Sequence, residues 1–368
     1  MIEAFFIFLP TTIFGYMQFF IIAAIYMFFK NRSIVKSKLL IILLLIIGLS
    51  LFNFVFSINN INSEYSISVL STFPYALLFI PTYIIASNLN EKILKYLLIF
   101  ISIEIVIGFL EYSVGVISFF DVGQTLSDLN VDATLLYDKR VFGLSSNSSA
   151  LAVKILLGIM IAHKIRSHLT YPFFLFFFLL CLIGFYITFN RTAILSFILF
   201  LFLFYFEEIK IRLKNWKYII GIATTMIILG GLVVHYWEDV VIQFTRGDGS
   251  GDSSILMGAR QDIYSTYISY ISEHFLGGNG SSKYCISLGG HVFHAHNSFL
   301  MTLAANGVPI AILYFSILFL NLKKYNTFLY IVVVIFYSFL QYGIFWGISF
   351  MDIFLFYIII SSECKQTG

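Results

Sequence analysis

The chain has 368 residues, of which 60% are apolar and 11% charged, with a mean hydropathy of +0.93 and 43 phenylalanines. Globular chains run about 45–50% apolar and about 25% charged, so no single core accommodates the excess and a soluble domain is excluded. The net charge of +3 says little as a total, because its division between the two sides of a membrane is what carries information.

Apolar runs of about 20 residues recur along the chain, the length an α-helix needs to cross a hydrocarbon layer about 30 Å thick. Membrane barrels use alternating strands of about 10 residues instead. The fold class is therefore all-α, a polytopic integral membrane protein, with about eleven transmembrane helices expected near 4–29, 39–58, 66–87, 92–118, 143–163, 169–189, 192–207, 216–236, 297–320, 326–341 and 346–361. The first run has no basic stretch ahead of it and no small-residue cleavage site behind it, so it reads as a span and not as a signal peptide. Lys30, Arg32, Lys36 and Lys38 follow directly, and because basic loops stay cytoplasmic the N-terminus is expected outside and the C-terminus inside. In that orientation 15 Lys and Arg face inward and 6 outward, with Lys154 inside a span. Cys181, Cys285 and Cys364 fall in three different compartments, which argues against a disulfide within the chain and leaves one between two copies through Cys285 open.

Three regions follow from this map: 1–142, N-terminal spans and a first outer loop; 143–361, a membrane region that includes the outer loop 237–296; and 362–368, an inner tail. The polar material crowds the outer side, in 119–142 and 237–296. The second loop holds four of the seven histidines and the run Gly247 to Gly251. Within it, Ala259 to Phe275 reads as a short amphipathic helix with Ile263, Tyr267, Tyr270 and Ile271 on one face, ended by Gly277 and Gly278. Such a loop is ordinarily solvated, with its helix lying on the membrane. His291, His294 and His296 shift the balance, since three histidines within six residues at the lip of a span, next to Asn297, fit proton transfer or metal binding. The spacing matches no zinc pattern, and no CxxC, HExxH or paired-carboxylate arrangement occurs. Asp248 and Asp252 lack the rest of a calcium loop.

Several charges stand out. Arg191 occupies a tight hairpin between two apolar runs, where its guanidinium either snorkels to lipid headgroups or points into a shared cavity. Glu104, Glu111 and Lys154 lie within spans, and the plain expectation is a Glu104 to Lys154 pair between neighbouring helices, with the lining of a substrate groove as the alternative. Asp352 in the last span has no assigned role. Tyr264, Tyr267 and Tyr270 suit either stacking on sugars or anchoring at the interface.

Arg191 in an outer hairpin, Arg260 opening a helix in a large outer loop, and His-x-His-Asn-x-x-Leu entering the next span together resemble the O-antigen polymerase and O-antigen ligase superfamily. The stretch His294 to Leu300 followed by Ala304 to Pro309 resembles its hallmark, with Asn306 where an acidic residue is usual and Pro309 where glycine is. Gly143 to Ala152 and Gly277 to Gly280 resemble two further family stretches, so the similarity covers roughly 143–320. The resemblance implies glycosyl transfer from a polyprenyl diphosphate donor on the outer face of the bacterial inner membrane, with no nucleotide, metal or other cofactor. Arg191 and Arg260 would hold the leaving diphosphate, for which bidentate guanidinium forks suit the geometry. His296 would take the proton from the attacking sugar hydroxyl, its neutral form favoured by the nearby positive charge. His294 would orient His296 or the acceptor, and Asn297 would hold the ring or bind sugar, with Arg140 and Tyr264 as further substrate contacts. The implied partners are undecaprenyl-diphosphate-linked donor and acceptor glycans, the bilayer and a chain-length regulator protein, with no nucleic acid. Within the superfamily the compact chain favours a polymerase over a ligase, with a protein O-oligosaccharyltransferase third. From another class, a flippase or transporter would use Glu104, Glu111 and Lys154 as its path, but the polar residues crowd one face and not the midplane where transporter sites lie.

Overall fold

A computed structural model describes residues 1–13, 18–31, 35–57, 73–120, 129, 135–212, 224, 235, 237–245, 253–288, 291–320 and 325–364. In chain order the helices are α1 Ile2–Phe8, α2 Gln18–Asn31, α3 Lys38–Ser57, α4 Phe79–Ser87, α5 Glu91–Val114, α6 Ser148–Lys164, α7 Tyr171–Thr188, α8 Arg191–Arg212, α9 Trp237–Thr245, α10 Ser253–Glu273, α11 Ser298–Leu318, α12 Tyr325–Leu340 and α13 Phe350–Cys364. A two-stranded antiparallel hairpin, β1 Ile286–Leu288 and β2 His291–Phe293, stands between α10 and α11. Among the described residues, α3, α5, α7 and α11 are long and apolar enough to cross a membrane. The fold is that of an all-α membrane protein, and α3, α5, α7 and α11 follow the expected 39–58, 92–118, 169–189 and 297–320 to within a few residues. The expected span 216–236 lies outside the described residues apart from Thr224 and His235.

Asparagines set where four helices begin. Asn90, Asn147, Asn190 and Asn297 each accept a first-turn N–H, from Ile93 at 3.0 Å, Ala150 at 2.9 Å, Ala193 at 2.9 Å, and both Phe299 and Leu300 at 2.8 and 3.1 Å. The side-chain oxygen satisfies donors that a helix N-terminus leaves without a partner. Side-chain ties sort the bundle into two ends. At the basic end Asn31 bonds Asn88 at 2.5 Å and the Lys38 N–H reaches Glu363 at 3.2 Å. At the opposite, loop end Asn53 donates to the Gly277 carbonyl at 2.8 Å, and Asn297 donates to the Phe339 carbonyl at 3.0 Å.

The continuous span expected over 4–29 is corrected by the structure. After α1 comes a 3-10 turn, Leu9–Thr11, with Pro10 near its start, and the Thr11 and Thr12 hydroxyls donate back to the carbonyls of Phe8 and Leu9 at 2.6 and 2.7 Å. Proline lacks the N–H that would continue the ladder and clashes with the preceding turn, so the helix stops. The chain returns as α2 packed on α1, and Lys30 at its end forms an ion pair with Glu3 at the start of α1. The segment is a helical hairpin. Seven-residue α1 is about 10 Å long, a third of the hydrocarbon thickness. The N-terminus therefore shares the basic end with Lys30, Lys38 and Glu363, and does not lie across the bundle from the C-terminal helix end as the sequence reading expected.

A buried charge pair holds the hairpin tip. Lys154 of α6 donates to Glu104 of α5 at 2.5 Å and to the Thr11 carbonyl at 2.9 Å, while the Ser145 hydroxyl donates to the same Glu104 oxygen at 2.8 Å. Both side chains are buried, so the expected pair forms. Glu111, one helical face above, accepts the N–H groups of Phe119 and Gly143 at 3.0 and 2.6 Å and closes the base of the 115–143 loop. Lys154→Met is expected to cost about 3–5 kcal/mol by leaving a buried carboxylate without its cation. The double variant Glu104→Gln/Lys154→Met should regain most of that loss in thermal unfolding of the detergent-solubilised protein. Equal loss in the single and double variants would refute this account.

The feature that positions the loop end is a break in α11. Gly307 adopts φ +72 and ψ 168, two residues before Pro309. Pro309 offers no N–H to the Ala305 carbonyl, and the Val308 N–H, which would serve Ala304, donates to Phe275 at 2.8 Å. The turn after α10 fills both vacancies: the Asn279 N–H reaches the Ala304 and Ala305 carbonyls at 2.9 and 3.0 Å, and the Ser281 N–H reaches Ala305 at 2.8 Å. The approach is so close that a Cβ on Gly278, itself at φ +54, would lie 2.6 Å from the Ala304 oxygen, and one on Gly307 would strike the Leu276 carbonyl. Gly307→Ala should accordingly lower stability by about 2–4 kcal/mol, combining left-handed strain with overpacking, read as a drop in thermal midpoint and in folded yield. An unchanged midpoint would show that the turn does not dock here.

Candidate active site

The docked turn carries the chain from the helix break into the outer-loop cluster. Ile263 and Tyr267 of α10 pack with Met301 and Ala304 of α11, and the Tyr267 hydroxyl donates to the Tyr284 carbonyl at 2.7 Å. Tyr270 stacks on Tyr284, with centroids 3.7 Å apart at 14°, and on His274 at 4.2 Å. The amphipathic helix expected over 259–275 is present as part of α10, with Tyr267 buried and Tyr264 half-buried in the seam. These tyrosines are used first for packing α10 onto α11.

The hairpin β1–β2 then delivers His294 and His296 to the start of α11. Their rings lie 4.1 Å apart, and the His296 backbone N–H donates to His294 Nδ1 at 3.1 Å. That bond fixes a tautomer: Nδ1 is the acceptor, so the neutral ring carries its proton on Nε2. Burial, followed by the charges of His296 and Lys283, holds the His294 imidazole down at about 4, which makes it a neutral hydrogen-bond donor at pH 7. His296 sits at φ +46, a left-handed conformation costing roughly 1–2 kcal/mol for a residue with a side chain. The strain is retained where the ring has to be aimed.

Around this pair the loop between α12 and α13, residues 341–349, supplies an aromatic wall. The His294 ring lies 5.9 Å from Tyr342 and 6.2 Å from Trp346. Ser298 holds the loop by accepting the N–H groups of Gly343 and Ile344 at 2.9 and 3.1 Å. Asp352 on the first turn of α13 holds it from the other side, accepting from Phe345 and Trp346 N–H at 2.6 and 3.0 Å and from the Ser349 hydroxyl at 2.9 Å. Against the wall rests Lys283, with Nζ 3.9 Å from the Trp346 centroid and 5.9 Å from those of Tyr342 and Tyr75. Burial lowers its ammonium to about 8, opposed by the charge of Asp352.

His294 and His296 are brought together as expected. Asn297 is occupied as the cap of α11 and as a donor to α12, which gives it a positioning role. Arg191 is the first residue of α8, half-buried at the loop end; α8 packs on α12, whose outer end receives Asn297. Arg140 is half-buried, stacked 3.3 Å over Tyr137 and donating to its carbonyl at 2.6 Å. The next residue, Val141, donates to the Ile187 carbonyl at 3.2 Å beside the α7 to α8 turn. Arg260 lies on α10 four residues before Tyr264, and its side chain falls outside the described residues, as does that of His291. Among the described residues no three His, Cys, Asp or Glu side chains gather as a metal site requires. Sequence reasoning missed Lys283, Tyr342, Trp346 and the role of Asp352. Only Asp352 carried a local signal, an acid in the first turn of a helix.

The low value of His294 gives a pH test. A histidine held below its ordinary 6.5 contributes stability that is full above that value and is lost as pH falls through about 4. The thermal midpoint of the wild type should fall more steeply between pH 6.5 and 4 than that of His294→Gln; parallel curves would contradict the burial of a neutral ring.

Residues 176–315, from within α7 to within α11, match the family model described as O-antigen ligase. No curated protein matches the chain. The matched stretch takes in Arg191, Arg260, Lys283, His294 and His296.

Proposed function

On the premise that the chain belongs, through residues 176–315, to the O-antigen polymerase and ligase superfamily, we propose that it is a metal-independent membrane glycosyltransferase of the polymerase kind. In this reading it moves a growing glycan from undecaprenyl diphosphate to a sugar hydroxyl of another carrier-linked repeat unit, at the periplasmic face of the inner membrane. The observation that carries the reading is the His294 and His296 pair, 4.1 Å between ring centroids, held at the lip of the bundle by a hydrogen-bonded backbone and walled by aromatic rings. Such a pair offers a neutral donor and an aimed base at the boundary between lipid and water, where a carrier lipid would present its headgroup.

In the mechanism His296 accepts the proton of the acceptor hydroxyl while that oxygen attacks the anomeric carbon. The bond from that carbon to the diphosphate oxygen breaks on the opposite face, and the diphosphate leaves with the bonding electrons, giving inversion. His294, neutral with its proton on Nε2, donates to the acceptor or to a sugar oxygen. Arg191 and Arg260 stabilise the departing charge, and Arg191 does so from the N-terminus of α8, where the helix dipole also favours anions. Arg140 and Tyr264 line the approach from the outer loops. A chain-length regulator is the partner that such a polymerase would meet at this face. A ligase that transfers finished glycan to lipid A core would use the same centre, so the choice rests on the product.

His296→Ala should lower transfer by about 10²–10⁴. The check is the lipopolysaccharide gel pattern of a strain deleted for the gene and complemented with wild type or the variant. Core bearing one repeat unit in the variant supports the polymerase. Bare core with polymer on the carrier supports the ligase, and a full ladder from His296→Ala would remove His296 from the mechanism.

A further inference from the structure

We infer that Lys283 is a further substrate-binding residue of this site, whose ammonium group takes a phosphate of the carrier diphosphate and stabilises it as it leaves. The inference rests on the transferase reading above and extends it to a cation outside the two arginines.

Three observations support it. First, Lys283 is held on ring faces and is not neutralised: its Nζ sits 3.9 Å over Trp346 and 5.9 Å from Tyr342 and Tyr75, and no described residue takes a hydrogen bond or ion pair from it. A ring face attracts the cation through its quadrupole but consumes none of its three N–H donors. Those donors remain for an anion. Second, the base is close by. Tyr342 and Trp346, which receive Lys283, also receive the His294 ring, so the ammonium shares two rings with His294, whose own ring lies 4.1 Å from that of His296. Third, the backbone that carries the lysine is fixed. Its carbonyl accepts from Asn279 Nδ2 at 3.2 Å, and Asn279 is bonded to the carbonyls freed by the break in α11. The cation is therefore presented on a rigid turn, as electrostatic stabilisation of a leaving group requires.

During transfer the bond from acceptor oxygen to anomeric carbon forms as the bond from that carbon to the diphosphate oxygen breaks. The bonding electrons leave with the diphosphate, the acceptor proton goes to His296, and Lys283 gives up no proton. The titratable groups facing Lys283 are Asp352, Cys285 and His294, with Tyr75 and Tyr342. Of these, Asp352 and Cys285 favour the charged lysine, and burial opposes it.

The test uses the full chain in lipid nanodiscs. Binding of undecaprenyl diphosphate is compared with that of undecaprenol, with inorganic pyrophosphate as competitor, and kcat/KM for transfer is followed from pH 6 to 9.5. Lys283→Met should weaken undecaprenyl diphosphate binding by about 10- to 100-fold, the range for a charged hydrogen bond, and leave undecaprenol binding unchanged. Pyrophosphate should compete in the wild type and lose that ability in the variant; competition without preference for the lipid form would identify the free anion as the ligand and overturn the carrier assignment. Wild-type kcat/KM should fall as pH rises through about 8, and Lys283→Arg should retain binding within a few-fold while moving that limb out of range, because arginine does not titrate there. A lysine that only cross-links the turn to the aromatic loop would leave the limb in place in Lys283→Arg, which would overturn the proposal even if Lys283→Met fails to fold. Wild-type protein that binds undecaprenyl diphosphate no better than undecaprenol and transfers nothing would sink the transferase reading itself. Intact wild-type binding with unaltered binding by Lys283→Met would sink the lysine alone.

Discussion

A helix that breaks near the membrane must find partners for the carbonyls it releases, because lipid offers none. In α11 the break at Gly307 and Pro309 frees the carbonyls of Ala304 and Ala305, and the turn after α10 takes both through Asn279 and Ser281 while Phe275 takes the Val308 N–H. The exchange is reciprocal: the spanning helix and the outer-loop turn each complete the other's backbone hydrogen bonding. Everything distinctive about the loop end is hung from it. Asn53 of α3 reinforces the turn through the Gly277 carbonyl and the Ser281 hydroxyl, and Asn306 donates to the Tyr75 hydroxyl at 2.5 Å, beneath the ring that Lys283 faces.

This arrangement explains why an outer loop can hold a site of definite geometry. Loops at a membrane surface are ordinarily solvated and variable, yet the stretch from Gly277 to Asn297 is tied at both ends, to the helix break and to the Asn297 cap. Between the ties, the β1–β2 hairpin fixes the register that brings His291 opposite Leu288 and leads into His294. The α12 to α13 loop is tied as firmly, by Ser298 on one side and Asp352 on the other. Two loops that are each pinned by backbone N–H bonds then meet across Trp346 and Tyr342. A second pair of ties, Glu104 with Lys154 and Glu111 with the 115–143 loop, fixes the neighbouring part of the same end.

What could be read from the sequence follows from which forces are local. Hydropathy located the spans because lipid selects for apolar length irrespective of partners, and α3, α5 and α7 begin and end within a few residues of expectation, α5 closing short at the left-handed cap Gly115. The same averaging missed the hairpin of α1 and α2, since Pro10 hardly alters a hydropathy window although it ends the helix, and the error moved the N-terminus to the wrong end. The histidine pair was legible from its spacing, and the Glu104 to Lys154 pair from the cost of burying either charge alone. Lys283 was not, because its meaning depends on Trp346, 63 positions later, on a loop whose conformation is set by Ser298 and Asp352. Asn297 was legible as a polar residue at the lip of a span, but its capping of α11 and its bond to α12 appear only in the bonds to Phe299, Leu300 and Phe339.

The electrostatics of the cluster separate its groups by charge. His294, His296 and Lys283 are three neighbouring groups able to carry positive charge, and a weakly screened site does not favour charging them all. Burial lowers both His294 and Lys283, but the lysine starts at 10.5 and the histidine at 6.5, so they come to rest at about 8 and about 4. Between those values the lysine keeps its proton and the histidine stays neutral, a window about four pH units wide centred near 6. Environments that hold neighbouring titratable groups apart in this way mark acid, base and electrostatic roles in enzymes. Asp352 widens the window from above by favouring the charged lysine, and Lys283 widens it from below by disfavouring imidazolium at His294. The same aspartate that shapes the aromatic loop thus also favours the charged lysine, so one buried carboxylate acts on both the geometry and the charge of the cluster.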